Sequence, residues 1–162
     1  MSAPKQMPSA EDATESWRLL LHQAAVEVMT TMVGVAPTVP EQIESEPSEQ
    51  VTGMVGLAGA LCGLLSIHCS PKVATEIASR MLGLGEEEAA QHWVDAVGEI
   101  CNMVAGAFKA KIPGLDDQCM LSVPTVITGD SYATQSLIVG NRTAVHLLFQ
   151  GEPFVVILET NG

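Results

Sequence analysis

Two polar residues set three apart, Glu99 and Asn102, carry the most specific chemical possibility in this chain. They lie within residues 89–112, AAQHWVDAVGEICNMVAGAFKAKI. There Trp93, Val97, Ile100, Cys101, Val104 and Phe108 recur at three- and four-residue steps, the spacing of an amphipathic helix. At about 100° per residue they form one buried stripe, and the other side carries Asp95, Glu99, Asn102, Gly106 and Lys109. Residues three apart sit one turn apart on the same face, so a carboxylate and a carboxamide are offered to solvent together. Gly98 and Gly106 flank them. Glycine inside a helix costs about 1 kcal/mol relative to alanine. Two glycines beside one polar pair predict a face, with Asp95 at its edge, that another surface approaches closely. The plainer reading of the same residues is a solvated helix face. A lone Glu–Asn pair is too little for a self-contained hydrolase, but it suffices where a partner brings the rest of the chemistry.

Other catalytic signatures are missing. There is no G-x-S-x-G elbow, no P-loop and no H-E-x-x-H. The cysteines, Cys62, Cys69, Cys101 and Cys119, form no C-x-x-C pair, so the usual zinc and redox spacings are absent. They are expected to be small buried hydrophobes. The histidines at 22, 68, 92 and 146 are scattered. His68 and Cys69 are neighbours in a predicted strand and point to opposite faces, so they cannot share a metal. Glu86, Glu87 and Glu88 read as carboxylates suited to the positive start of the long helix. No metal or cofactor of the chain's own is therefore expected.

The segment Asp95-Ala-Val-Gly-Glu99-Ile-Cys-Asn102-Met-Val-Ala-Gly106 resembles the signature helix of the CheC/CheX/FliY phosphatases of bacterial chemotaxis. That pattern is an acidic or serine position, then Glu, then Asn three residues later, then a small residue. Ala24-Ala-Val-Glu-Val-Met-Thr-Thr-Met-Val-Gly34 resembles the opening helix of CheX. Gly56-Leu-Ala-Gly-Ala-Leu-Cys-Gly63 resembles its first hairpin, and Pro124-Thr-Val-Ile-Thr-Gly129 a strand end after the signature helix. The resemblance spans about residues 16–160 and points to the CheX branch. It implies a phosphatase acting on the aspartyl phosphate of a CheY-like response regulator, with Glu99 and Asn102 as the catalytic pair. It implies Mg²⁺ on the partner regulator rather than on this chain, and a homodimer joined through sheet edges. The CheC branch carries two signature helices. Here the first helix has Glu27-Val-Met-Thr30 instead, so one site is expected. A non-catalytic receiver-binding or flagellar-switch-type module is the alternative, and a purely structural dimerisation domain a third reading.

Composition sets the outer bounds. A chain of 162 residues is one domain by length and can bury roughly 70% of its unfolded surface. Seven basic against 19 acidic residues give a net charge of −12, which argues against nucleic acid and anionic membranes as partners. No apolar run is long enough to span a membrane, and the first residues lack a secretory h-region. A cytoplasmic location follows as the expectation.

The remaining elements must hold the pair in place. Residues 1–13 are expected to be a disordered tail ahead of a domain at 14–162. A helix is predicted over 17–33, capped by Ser16, with Leu20, Leu21, Ala24, Val28 and Met32 inward and Gly34 ending it. Residues 36–50 read as an acidic, proline-rich solvated loop. Strands are expected at 51–57 and 64–68 around a small-residue turn, then a helix from Pro71 to about Met81 capped by Ser70. Pro113-Gly114 should stop the long helix. A strand follows at 118–127, with Pro124 making it an edge or bulged strand, and its segment 121–127 offers an uncharged edge to a second copy. Turns are expected at 129–131 and 140–142, residues 136–139 are open between a helix turn and a strand, and 143–149 with 154–159 read as a hairpin. The expected class is α+β: a single domain with a mostly antiparallel sheet packed with two long helices, CheC/CheX-like.

Overall fold

The computed structural model describes residues 10–43 and 49–161. In chain order the elements are α1 (Ala10–Val33), β1 (Glu49–Gly59), β2 (Gly63–Cys69), α2 (Pro71–Leu82), α3 (Glu86–Ala89), α4 (Trp93–Ala110), β3 (Cys119–Leu121), β4 (Thr125–Tyr132), β5 (Asn141–Phe149) and β6 (Glu152–Thr160). The six strands form one sheet in the order β3-β1-β2-β6-β5, with β4 beside β1 on the same flank as β3. Every pairing is antiparallel. The expected α+β class, with two long helices against an antiparallel sheet, is what the chain adopts.

Alternation sorts the strands into two faces. Val51, Val55, Leu57, Leu65, Ile67, Val145, Leu147, Phe154, Val156 and Leu158 are buried with α1, α2 and α4 in one core. Gly53 lets α4 settle close to β1, since a Cβ there would lie 3.1 Å from Val97 Cγ1. The β5–β6 hairpin turns on Gln150 and Gly151, at φ 50° and 80°, the two left-handed residues of a type I′ turn. Ser70 caps α2 by accepting the Val73 N–H at 3.2 Å, Pro71 opens the helix, and Gly83 closes it at φ 65°. Gly34, at φ 79°, ends α1 with its N–H on the Met29 and Thr30 carbonyls.

Several boundaries differ from the sequence reading. The first helix begins at Ala10, before the Ser16 cap signal, so the expected tail at 1–13 overlaps it; residues 1–9 lie outside the described ones. Glu86, Glu87 and Glu88 start a separate one-turn helix, α3, and the chain turns before α4 begins at Trp93. The expected strand 118–127 is broken: β3 ends at Leu121 and β4 begins at Thr125. Gly129, Asp130 and Ser131 make no turn but lie within β4. There the register against β1 shifts between Glu49↔Tyr132 and Val51↔Thr128, so two extra residues bulge from the edge strand. Asn141 and Arg142 already belong to β5, paired with Thr160 and Glu159. Residues 133–139, which contain the undecided 136–139, are neither helix nor strand. In the acidic connection, Pro37 is buried and Thr38 makes an isolated bridge to Leu148, while 44–48 lie outside the described residues.

Candidate functional site

Helix α4 is held by the sheet on one side and by α1 on another. Cys101 and Val97 face β1 at Gly53, and the Cys101 thiol reaches the Leu65 carbonyl at 3.8 Å. Phe108 meets the Trp17 ring of α1 edge-on, with centroids 6.2 Å apart at 82°. Lys111, just past the helix, pairs with Glu27 of α1 at 2.7 Å. Val97, Ile100, Cys101, Val104 and Phe108 are buried as the periodicity requires, and Trp93 is half-buried. Burial pushes the thiols of Cys101 and of Cys69 up to about 12, so both are neutral packing groups at physiological pH. Cys119 is buried too, but Cys62 is exposed in the β1–β2 turn, against the expectation for all four.

The outward strip of α4 carries Asp95 and Glu99, both exposed, and Asn102 and Gly106, both half-buried. A Cβ built on Gly106 meets nothing within 4 Å. Among the described residues, no hydrogen bond or ion pair engages the side chain of Glu99 or Asn102. The helix therefore presents a carboxylate and a carboxamide that the fold itself does not use. Asp95 in the first turn and Lys109 in the last complement the helix dipole.

Gly98 takes a different place from the one expected. It is buried, and its Cβ position lies 3.6 Å from both Pro124 Cβ and Val126 Cγ2. A Cβ there would be in ordinary van der Waals contact with β4 and the residue before it, so the position faces the same chain and is not part of the open face. Lys109 likewise turns away from the strip, donating to the Asp116 and Cys119 carbonyls at 2.8 Å each. Periodicity missed the flank formed here by Pro124, Val126 and the β3–β4 break. Pro124 inside a predicted strand was the signal for it.

Elsewhere the polar groups are committed to one another. On the sheet's second face, the Tyr132 hydroxyl lies 2.9 Å from Thr52 Oγ1, which is 3.3 Å from His68 Nδ1. His68 Nε2 is 2.9 Å from Ser66 Oγ. A cavity of about 530 Å³ opens over this cluster, beneath Thr134, Gln135 and Ser136. Among the described residues, no group of three or more His, Cys, Asp or Glu side chains is placed to hold a metal ion. No described helix is long and apolar enough to cross a membrane.

Residues 51–150, more than half of the chain, match the family described as chemotaxis phosphatase CheX. The chain belongs to the CheX family. Solved structures agree on the fold. A chemotaxis protein CheX from Desulfovibrio desulfuricans is 23% identical at a TM-score of 0.75, covering 90% of this chain and 99% of that one. CheX from Vibrio vulnificus is 24% identical at 0.74, covering 91% and 97%. The CheX of a CheX–CheY–BeF₃–Mg²⁺ complex from Borrelia burgdorferi is 20% identical at 0.68, covering 90% and 98%. No curated protein sequence matches the chain.

Proposed function

We propose that this CheX-family chain is a phosphatase that hydrolyses the aspartyl phosphate of a CheY-like response regulator. The observation that carries the reading is the uncommitted Glu99–Asn102 pair on a helix fixed by the core. The Borrelia relative, solved with CheY, BeF₃ and Mg²⁺, supports a receiver as the partner and is consistent with Mg²⁺ bound on that partner.

The receiver brings the phosphorylated aspartate, Mg²⁺ and a lysine, so positioning is what remains to be supplied. The Asn102 carboxamide offers an acceptor and two donors without a charge. Its carbonyl accepts a hydrogen bond from the attacking water and aims it in line with the aspartyl oxygen. The water oxygen bonds to phosphorus as the bond to the aspartyl oxygen breaks. That electron pair returns to the carboxylate, and inorganic phosphate leaves. A carboxylate at the same place would repel the phosphoryl oxygens. Glu99 pairs with the receiver's lysine and fixes the docked register. Asp95 and Gly106 complete the partner-binding strip.

A homodimer joined at the sheet edge is part of this reading. The break at Ser122–Pro124 confines continuous pairing to β4 rather than to the whole of 121–127. The test is phosphate release from each of the host's receivers, phosphorylated in Mg²⁺, with and without the purified chain. Faster release from at least one receiver supports the reading. If none is accelerated while one is still bound, the chain is a non-catalytic receiver-binding module.

A further inference from the structure

We infer that Val123, at the break between β3 and β4, is the apolar anchor of the receiver-docking face, packing against an apolar side chain of the receiver beside its phosphorylation site. This rests on the reading of Glu99 and Asn102 as the receiver-facing pair.

The placement follows from two fixed points on α4. Gly98 lies under Pro124 and Val126, and Lys109 reaches back to the carbonyl of Cys119. At about 100° per residue, Gly98, Asn102, Ala105 and Lys109 share one flank of the helix. That flank runs along the β3–β4 edge, with Gly98 level with the start of β4 and Lys109 level with the start of β3. Asn102, between them, is level with the break at 122–124.

The break is rigid on both sides of Val123. Ser122 donates its N–H to the Gly56 carbonyl at 2.9 Å and accepts the Gly56 N–H on its hydroxyl at 2.8 Å. The same hydroxyl donates to the Val123 carbonyl at 3.1 Å. On the other side, Pro124 rests over Gly98. Between these anchors the Val123 side chain is 85% exposed. A valine held rigidly in solvent gains nothing for the monomer. It suits a contact whose ordering cost is settled before binding. Its surroundings set the partner's chemistry. Asp95 and Glu99 are exposed on the strip. The matching surface is therefore apolar at one point and cationic around it, which a receiver offering a lysine beside its phosphorylated aspartate provides.

The experiment measures binding of each host receiver, charged with beryllofluoride and Mg²⁺, to wild type, Val123→Asp, Val123→Lys and Val39→Asp. Val39 is a control of the same chemistry, 66% exposed beside Thr38, which bridges the far sheet edge at β5. Both Val123 variants should weaken binding by roughly tenfold or more, as loss of a central anchor does, while Val39→Asp stays within about twofold. Opposite charges with the same effect identify an apolar contact. Three results overturn the inference. Val123→Asp binds as wild type or tighter; only one sign of charge matters; or the variants change the chain's own sedimentation, which makes the break an interface between copies. If wild type binds no charged receiver, the phosphatase reading falls and takes the inference with it. Circular dichroism confirms that the variants fold.

Discussion

Two polar clusters in this molecule differ in where their hydrogen bonds go. On the second face of the sheet, Tyr132, Thr52, His68 and Ser66 form a chain of contacts at 2.9–3.3 Å, and Thr52 is fully buried. On the outer strip of α4, Glu99 and Asn102 make no such contact among the described residues. The first cluster contains more of the residue types usually linked to catalysis, including a serine beside a histidine. Yet its hydroxyls and imidazole already serve one another, as buried polar groups must. The second cluster has only a carboxylate and an amide, and both are free to meet a partner. Availability, rather than chemical reputation, separates the candidate site from the structural network.

Exchanging the effects of the two clusters is the hardest test of that difference. Asn102→Ala should lower receiver dephosphorylation by about 10²–10³-fold, the usual loss for one positioning group. Binding to the beryllofluoride-charged receiver and thermal stability should stay near wild type, because the interaction exists mainly in the transition state. Thr52→Val should do the reverse. It removes the hydroxyl that joins Tyr132 to His68, at a cost of about 1–3 kcal/mol in stability, with turnover unchanged. Denaturant titration beside a phosphate-release assay reads both. An Asn102→Ala variant that turns over normally, or a Thr52→Val variant that loses turnover at full stability, would show that the two clusters have been assigned the wrong way round.

The inner side of α4 gives a smaller test through its thiol. Cys69 and Cys101 have pKa values raised to about 12 by burial, from an ordinary value of 9.0. Below pH 9 the thiols are neutral in both folded and unfolded chains, and the stability they contribute is intact. Between pH 9 and 12 only the unfolded chain ionises, so stability falls as pH rises. At pH 10 the loss is on the order of 1 kcal/mol per thiol. A Cys69→Ala, Cys101→Ala double variant should therefore lose less stability between pH 8 and 10 than wild type does. Equal slopes would mean that these thiols ionise inside the fold.

What the sequence made legible follows the same division between inside and outside. The buried stripe of α4 could be read because one core imposes one period on Val97, Ile100, Cys101, Val104 and Phe108. The exposure of Glu99 followed from the same period. Gly98 could not be placed that way. It lies at the border between the stripe and the strip, and its fate is decided by Pro124 and Val126, more than twenty residues later in the chain. The residues 129–131 show a similar limit. Glycine, aspartate and serine mark a departure from regular pairing, and a bulge in β4 satisfies that signal as well as a turn does. The three glutamates at 86–88 do start a helix, but it is the separate turn of α3 rather than the long helix, and no proline announces that separation.

Gly106 offers the smallest and most direct comparison of the fold's needs with a partner's. It lies inside α4 at a helical backbone position, one turn beyond Asn102, and a Cβ there meets nothing within 4 Å. For the isolated chain, Gly106→Ala should stabilise the protein by up to about 1 kcal/mol, since alanine loses less backbone freedom on entering a helix. For a docked receiver, the same methyl group stands on the strip beside Asn102. If the glycine exists to let the partner approach, Gly106→Ala should raise Tm and weaken receiver binding together, and Gly106→Val should weaken binding further. Stability and affinity would then move in opposite directions, which a fold defect cannot produce. If Gly106→Ala raises Tm and both variants bind the charged receiver as wild type does, the partner does not approach this part of α4. The docking face then ends at Asn102.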